Sequence, residues 1–389
     1  MPTLFASTLP KWIFRVKLGS SSLLVKISCF VLIRKIGMIK NRLILTRNLI
    51  GLGVIEIEIS NRQMIKFYLL IFTTFILNSC NSQTSNKLKE VQNGIVYFSY
   101  DNGTNWTNSS NGLPDNIRIG LGGIATSKQE IGVATKDNGV YLYNFKNKVW
   151  DTIPTDKHII EGNIGALAIF DSAIFVGTQF KGVFYTTDKG ENWTNLNNGL
   201  KDLAIRRFCE FNNIQYVCTN DGFYSFNKIS KSWALEFGQT SLQTNGATFY
   251  KGNFYLATNK GIFSQQTDKS WINSSPQFSM HNISSDKNQL YAMTYNELLL
   301  FSTDGKTWQS QQSGIPKELY TFNVLNHNNL ILAGQWDGIY KKTNNLTKWE
   351  LSSQGLPTKF AVTNLKAYND ILIISTSERK LKEGMTIEK

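Results

Sequence analysis

Residues 163–196 read NIGALAIFDSAIFVGTQFKGVFYTTDKGENWTNL. Two apolar runs, Ile164–Phe170 and 173–177, flank Asp171-Ser172. That pair suits a tight hairpin, because Asp tolerates positive φ and both residues bond their own backbone. A third run, 183–187, follows Gly182, and a fourth short strand centres on Trp193. The same order recurs along the chain. Trp106, Trp150, Trp193, Trp233, Trp271, Trp308 and Trp349 stand roughly 40 residues apart. Ahead of them lie aromatic or β-branched runs opened by Gly94, Gly139, Gly182, Gly222, Gly261 and Gly338, with Glu297 in one copy. Asn212-Asn213, Lys251-Gly252 and Asn369-Asp370 take the place of Asp171-Ser172. Gly112, Gly199, Gly314 and Gly355 each follow a Trp by six positions.

Four antiparallel strands in each unit of about 40 residues make a propeller blade. The repeat region starts at Gly94 with only the third and fourth strands of a unit. It ends with only the first and second, at 360–367 and 371–375. The spacing therefore predicts an all-β chain. It would be a single seven-bladed β-propeller of four-stranded blades over 94–376, with 377–389 as a tail. The N-terminal third and fourth strands would join the C-terminal first and second strands, leaving no open sheet edge at the seam.

Between the third and fourth strands, residues 99–106 read SYDNGTNW, 186–193 TTDKGENW and 302–308 STDGKTW. Asp101, Gly103 and Trp106, then Asp188, Gly190 and Trp193, then Asp304, Gly305 and Trp308, carry the pattern. The Asp accepts N–H groups of its own turn, the Gly takes the left-handed position and the Trp packs beneath. These residues are structural. The pattern resembles the Asp-box (BNR-like) of the sialidase-superfamily propellers, which include sialidases, xyloglucanases, sortilin-type receptors and photosystem II assembly factors. The resemblance implies the propeller fold, and fold alone does not choose among those activities.

The chain has 389 residues and a formal charge of +13. A net +8 lies in residues 1–63, and from Cys80 onward the net is only +4. Met64-Ile65-Lys66 opens a second start, followed by the apolar run FYLLIFTTFIL at 67–77 and then Asn78-Ser79-Cys80. A basic start and an apolar run of that length read as a secretory signal. Residues 77–80, LNSC, resemble a bacterial lipobox, which implies diacylation of Cys80. A cleaved signal with an incidental Cys80 is the alternative. The reading is thus an untranslated or cleaved leader over 1–63, with translation starting at Met64 in the first case, a lipoprotein signal over 64–79, a tether over 80–93, and an envelope location, at the outer membrane. Residues 1–63 show no useful helical or strand period.

The chemistry of a hydrolase is hard to assemble from this sequence. After the signal, arginine occurs only at Arg118, Arg206, Arg207 and Arg379. Arg206 and Arg207 are neighbours on one strand and point to opposite faces. The three-arginine carboxylate clamp that the sialidase resemblance implies is therefore not available. Many Asp are spent in turns, His158, His281 and His327 fall in different units, and no metal-ligand spacing occurs. The reading is no catalytic residue, no metal and no cofactor. Cys209 would oppose Tyr216, which sets Cys209 and Cys218 diagonally as two thiols or a disulfide.

Departures from the repeat mark a candidate binding face. Trp336 lies outside the Trp series, in Gln335-Trp336-Asp337, and Phe180 and Tyr295 stand in the equivalent loops. Arg206 and Arg207 replace Gly165-Ala166 and Thr363-Asn364 of other units. Together these residues would bind a protein or carbohydrate ligand. The chain reads as a non-enzymatic, monomeric, lipid-anchored scaffold that does not bind nucleic acid. The alternative is a sialidase-like or xyloglucanase-like glycoside hydrolase.

Overall fold

The computed structural model describes residues 94–377, except 276, 277, 297, 344 and 345, together with four short strands between residues 14 and 43. The chain divides into two compact units, 1–89 and 90–389. In the first, Phe14–Leu18 pairs with Ser21–Val25 and Met38–Ile39 with Arg42–Leu43. The expectation that this stretch lacks strand period is corrected by those hairpins; FRVKL alternates apolar and basic residues over five positions. Cys80, the signal at 64–79, the tether and Arg379 lie outside the described residues.

Among its described residues the second unit is all-β apart from one helical turn, Lys157–Ile160. Ile164–Phe170 pairs with Ala173–Thr178 across Asp171, whose φ is 54°. Asn212, Asn213, Lys251 and Asn369 adopt positive φ at the equivalent turns. Cys209 opposes Tyr216 as the register requires, and both Cys209 and Cys218 are free thiols. Burial raises both thiol pKa values, that of Cys218 to about 12, so neither is a ready nucleophile. Asn364–Tyr368 and Ile371–Ser375 share one sheet with Val96–Ser99 and Thr107–Asn108, so the two ends of the region are hydrogen-bonded together.

The expected seven blades are corrected. The structure has five four-stranded blades, and residues 119–195 form one eight-stranded sheet instead of separate ones. The cause is local. A Cβ on Gly120 would lie 2.4 Å from the Gly165 carbonyl oxygen, so the two backbones meet there and Ala166 pairs with Gly122 in parallel. At four other junctions an asparagine on the innermost strand spans the gap. Asn245 Nδ2 donates to Met280 O at 2.7 Å and Asn282 Nδ2 to Phe322 O at 3.2 Å. Asn323 Nδ2 donates to Thr363 O at 2.7 Å, and Asn364 Nδ2 to Gly120 O at 2.9 Å. A side chain between the backbones keeps those sheets distinct; at Gly120 and Gly122 no side chain intervenes and the strands meet.

Six of the seven Trp of the series donate their indole N–H to a carbonyl of the preceding unit. Trp150 Nε1 donates to Ser109 O at 2.6 Å, Trp233 to Leu196 O at 2.7 Å and Trp349 to Gln311 O at 2.9 Å. The Gly that follows a Trp by six positions now has its reason. Gly199, at φ 89°, lies so close to the next sheet that a Cβ would sit 2.0 Å from Trp233 O. Gly314 stands in the same way against Trp349.

Candidate functional site

The first strand of each sheet starts at one rim of the fold and the second returns to it. The loop from second to third strand therefore shares that rim with the start of the first strand, and the turn from third to fourth strand lies at the opposite end. The SxDxGxxW-like loops occupy those far turns and close on themselves. Ser99 Oγ donates to Asp101 Oδ1 at 2.8 Å, and Asn105 N and Nδ2 donate to the same carboxylate at 2.9 and 2.7 Å. Asp188 is held by Thr186 at 2.6 Å and by Asn192 N at 2.9 Å, and Asp304 by Thr307 N at 2.7 Å. Gly103, Gly190 and Gly305 all have positive φ. Trp106 Nε1 donates to Ser352 O, Trp193 to Pro154 O and Trp308 to Ser274 O.

These hydrogen bonds hold the Asp101 and Asp188 carboxyls at pKa about 2, from the Asn105 backbone in the first case and the Thr186 hydroxyl in the second. A depressed carboxylate stabilises the fold above its unfolded pKa of about 4, and that stability is lost as pH falls through the folded value. Asp101→Asn and Asp188→Asn should therefore destabilise the protein at pH 7 and flatten its stability between about pH 4 and 2. Urea midpoints across that window are the check; wild-type slopes in both variants would refute the assignment.

At the other rim a cavity of about 340 Å³ opens into the fold. Phe180, Tyr295, Arg206, Arg207, His281 and Lys136 are among its walls. No Asp or Glu of the described residues lines it. Phe180 is 66% exposed and Tyr295 46%, so both rings present area at the opening, Tyr295 with its ring edge-on to His281 at 5.4 Å. Arg206 is exposed, its Nε donating to Asn220 Oδ1 at 2.8 Å. A register shift between Ile205 and Arg207 breaks the alternation that was expected to set the two arginines on opposite faces, and Arg207 lines the same cavity, donating from Nε to Asn245 O and from Nη1 to Leu121 O, both at 3.0 Å. Burial lowers its pKa, but a guanidinium stays cationic.

His281 occupies the register position of Arg206, one residue before the pairing of Asn282 with Met293. It is 3% exposed. Its Nε2 lies 2.5 Å from Thr321 O, so the carbonyl fixes the proton there and leaves Nδ1 as an acceptor. That Nδ1 is buried with no hydrogen-bond partner. Burial, then the charge of Arg207, lowers the imidazole pKa to about 3, so the ring is neutral at pH 7. His281 stacks on Tyr320 at 4.3 Å, Tyr320 meets Phe322 at 4.8 Å, and Phe322 meets Trp336 at 4.9 Å. Trp336, 39% exposed, is thus the outer end of an aromatic series that begins at the cavity.

Two residues flanking Trp336 face elsewhere. Gln335 is fully buried, donating from Nε2 to Thr321 Oγ1 at 2.5 Å. Asp337 accepts from Tyr340 Oη at 2.8 Å and pins its own turn, as Asp221 does with Tyr224. Sequence reasoning missed His281, Tyr320 and Phe322. The available signal was the shared register of His281 and Arg206. Among the described residues, no cluster of three or more His, Cys, Asp or Glu could hold a metal ion, and no helix is long and apolar enough to cross a membrane.

Comparison with solved structures decides the architecture. The chain has a β-propeller fold. It superposes on YCF48 bound to D1 peptide with a TM-score of 0.52 and 12% identity, covering 69% of this chain and 100% of that one. It matches the extracellular domain of a hybrid two-component system of B. thetaiotaomicron, BT4673, at TM-score 0.57 and 13% identity, covering 69% of this chain and 38% of that one. The GH74 xyloglucanase from Xanthomonas campestris gives 0.53 and 14%, covering 68% and 52%. This propeller therefore spans about half or less of the last two chains. Neither a protein-family profile nor a curated protein sequence matches the chain. The propellers of this fold thus include a peptide-bound protein, a sensor ectodomain and a hydrolase.

Proposed function

We propose that the protein is a non-enzymatic, monomeric binding propeller of the Asp-box type, anchored to the bacterial envelope through Cys80. It captures a protein segment or a glycan at the rim that bears Phe180, Tyr295, Arg206 and Trp336. The observation that carries this reading is the composition of the rim cavity: exposed rings and cations surround a space that no Asp or Glu of the described residues lines. Glycoside hydrolysis ordinarily needs two carboxyl groups roughly 5–10 Å apart across the scissile bond. The carboxylates of the far turns are committed to their own loops. Exposed aromatic faces take a peptide side chain or a sugar ring, and the arginines supply orientation. That a propeller of this fold is found with a peptide supports the protein arm. Phe180→Ala combined with Arg206→Ala should weaken capture of the natural partner by about 30-fold or more, the loss of a hot spot, with the melting temperature unchanged. Equal capture by wild type and double variant would sink the assignment. For the anchor, Cys80→Ala should abolish incorporation of radiolabelled palmitate.

A further inference from the structure

Behind Arg207 the channel continues as a second cavity of about 440 Å³, opening toward the far rim. Its walls are the innermost strands, and they bring Arg207 and Lys366 into one space with Cys209, Thr248, Ser284 and Ser285. Neither cation has an ion-pair partner among the described residues. Glu210 is the single carboxylate in the lining, and its Oε1 accepts Gln215 Nε2 at 2.7 Å. Arg207 spends two of its five N–H groups on carbonyls, and the Lys366 ammonium, exposed to the channel, donates no hydrogen bond to any described residue. Six N–H donors therefore remain on two like charges that line one channel. The hydroxyls are already oriented: Thr248 Oγ1 lies 2.7 Å from Ser285 Oγ, and Ser284 Oγ donates to Val324 O at 2.9 Å.

We propose that this channel holds an oxyanion, of phosphate or carboxylate chemistry, between Arg207 and Lys366. The anion would satisfy the free donors with charge-assisted hydrogen bonds and relieve the repulsion between the cations. Lys366 is exposed to the open channel; the channel wall around it lowers its pKa first and the charge of Arg207 second. The proposal is independent of ligand capture at the opposite rim, since Lys366 stands on the far side of Arg207.

The test is calorimetric titration of the full chain with sodium phosphate at constant ionic strength and pH 7.5, with sodium acetate as a second arm. Wild type should bind phosphate with a saturable heat. Lys366→Met should lose at least tenfold in affinity, Lys366→Arg should retain binding, and Lys228→Met, on an exposed turn, should match wild type. Phosphate bound more tightly than acetate identifies a free phosphate-type ion; acetate bound as well as phosphate identifies a carboxylate, such as that of a partner side chain. No saturable heat with either anion, or equal affinity in wild type and Lys366→Met, would overturn the proposal. Should Lys366→Met fail to fold, the Lys366→Arg titration decides: loss of binding there counts against the site.

Discussion

Trp349→Ala should lower the unfolding free energy by about 3–5 kcal/mol, the cost of deleting a large buried aromatic and leaving part of its volume empty. Trp349 is 1% exposed and packs in one cluster with Phe301, Ile315 and Tyr340. Its indole N–H is the donor for Gln311 O at 2.9 Å, and its backbone N–H donates to Ser313 O at 2.8 Å. Lys342 lies over both the Trp349 and Phe301 rings, at 5.1 and 4.9 Å, and reaches Gln311 Oε1 at 3.2 Å. The truncation therefore removes an apolar plug, orphans a carbonyl and strips the support from the buried Lys342 side chain. Trp349→Phe should fall between the two. Urea unfolding followed by circular dichroism measures this, and a loss below about 1 kcal/mol would show that the interface between the sheets repacks.

Acid should destabilise the protein well before the carboxylates titrate, through His281. Its folded pKa is about 3, because burial and Arg207 oppose its charge. An unfolded histidine titrates near 6.5. Between those values the unfolded chain binds a proton that the folded one refuses, so stability falls as pH falls from about 6.5 toward 3. The loss between pH 7 and pH 5 is about 2 kcal/mol from this one group. His281→Gln should flatten that slope, at the cost of lower stability at pH 7 from the altered stack on Tyr320. Between pH 7 and 5 this loss is free of any contribution from Asp101 and Asp188, which acts below about pH 4. A wild-type curve flat from pH 7 to 5 would contradict the burial of a neutral imidazole.

The strands were legible because each hairpin carries its own turn chemistry. Asp171, Asn212, Lys251 and Asn369 all adopt the positive φ that their sequence context calls for. The register followed, down to Cys209 opposite Tyr216. The fused eight-stranded sheet was not legible. Gly120, Gly122 and Gly165 read as weak strand residues, whereas their effect is to let two backbones touch. Part of the site was visible as departures from the repeat, since Phe180, Tyr295, Arg206 and Arg207 do line one cavity. His281 was not, because its partners Tyr320 and Phe322 lie about 40 residues on and meet it only when neighbouring sheets pack. Gln335 and Asp337 share a loop with Trp336 but serve the turn that holds it. Adjacency in sequence did not distinguish the presented side chain from its supports.

The central claim is that the Phe180 rim is the face that captures a partner. Site-directed photocrosslinking in the intact envelope tests it most directly, with a photoreactive residue placed at Phe180, at Trp336 and at Ile229. Ile229 is 98% exposed and sits in the turn between third and fourth strands, at the opposite end of the fold. The expected result is one discrete adduct formed from Phe180 and Trp336 and absent from Ile229. An adduct formed from Ile229 alone, or none from Phe180, would contradict the account.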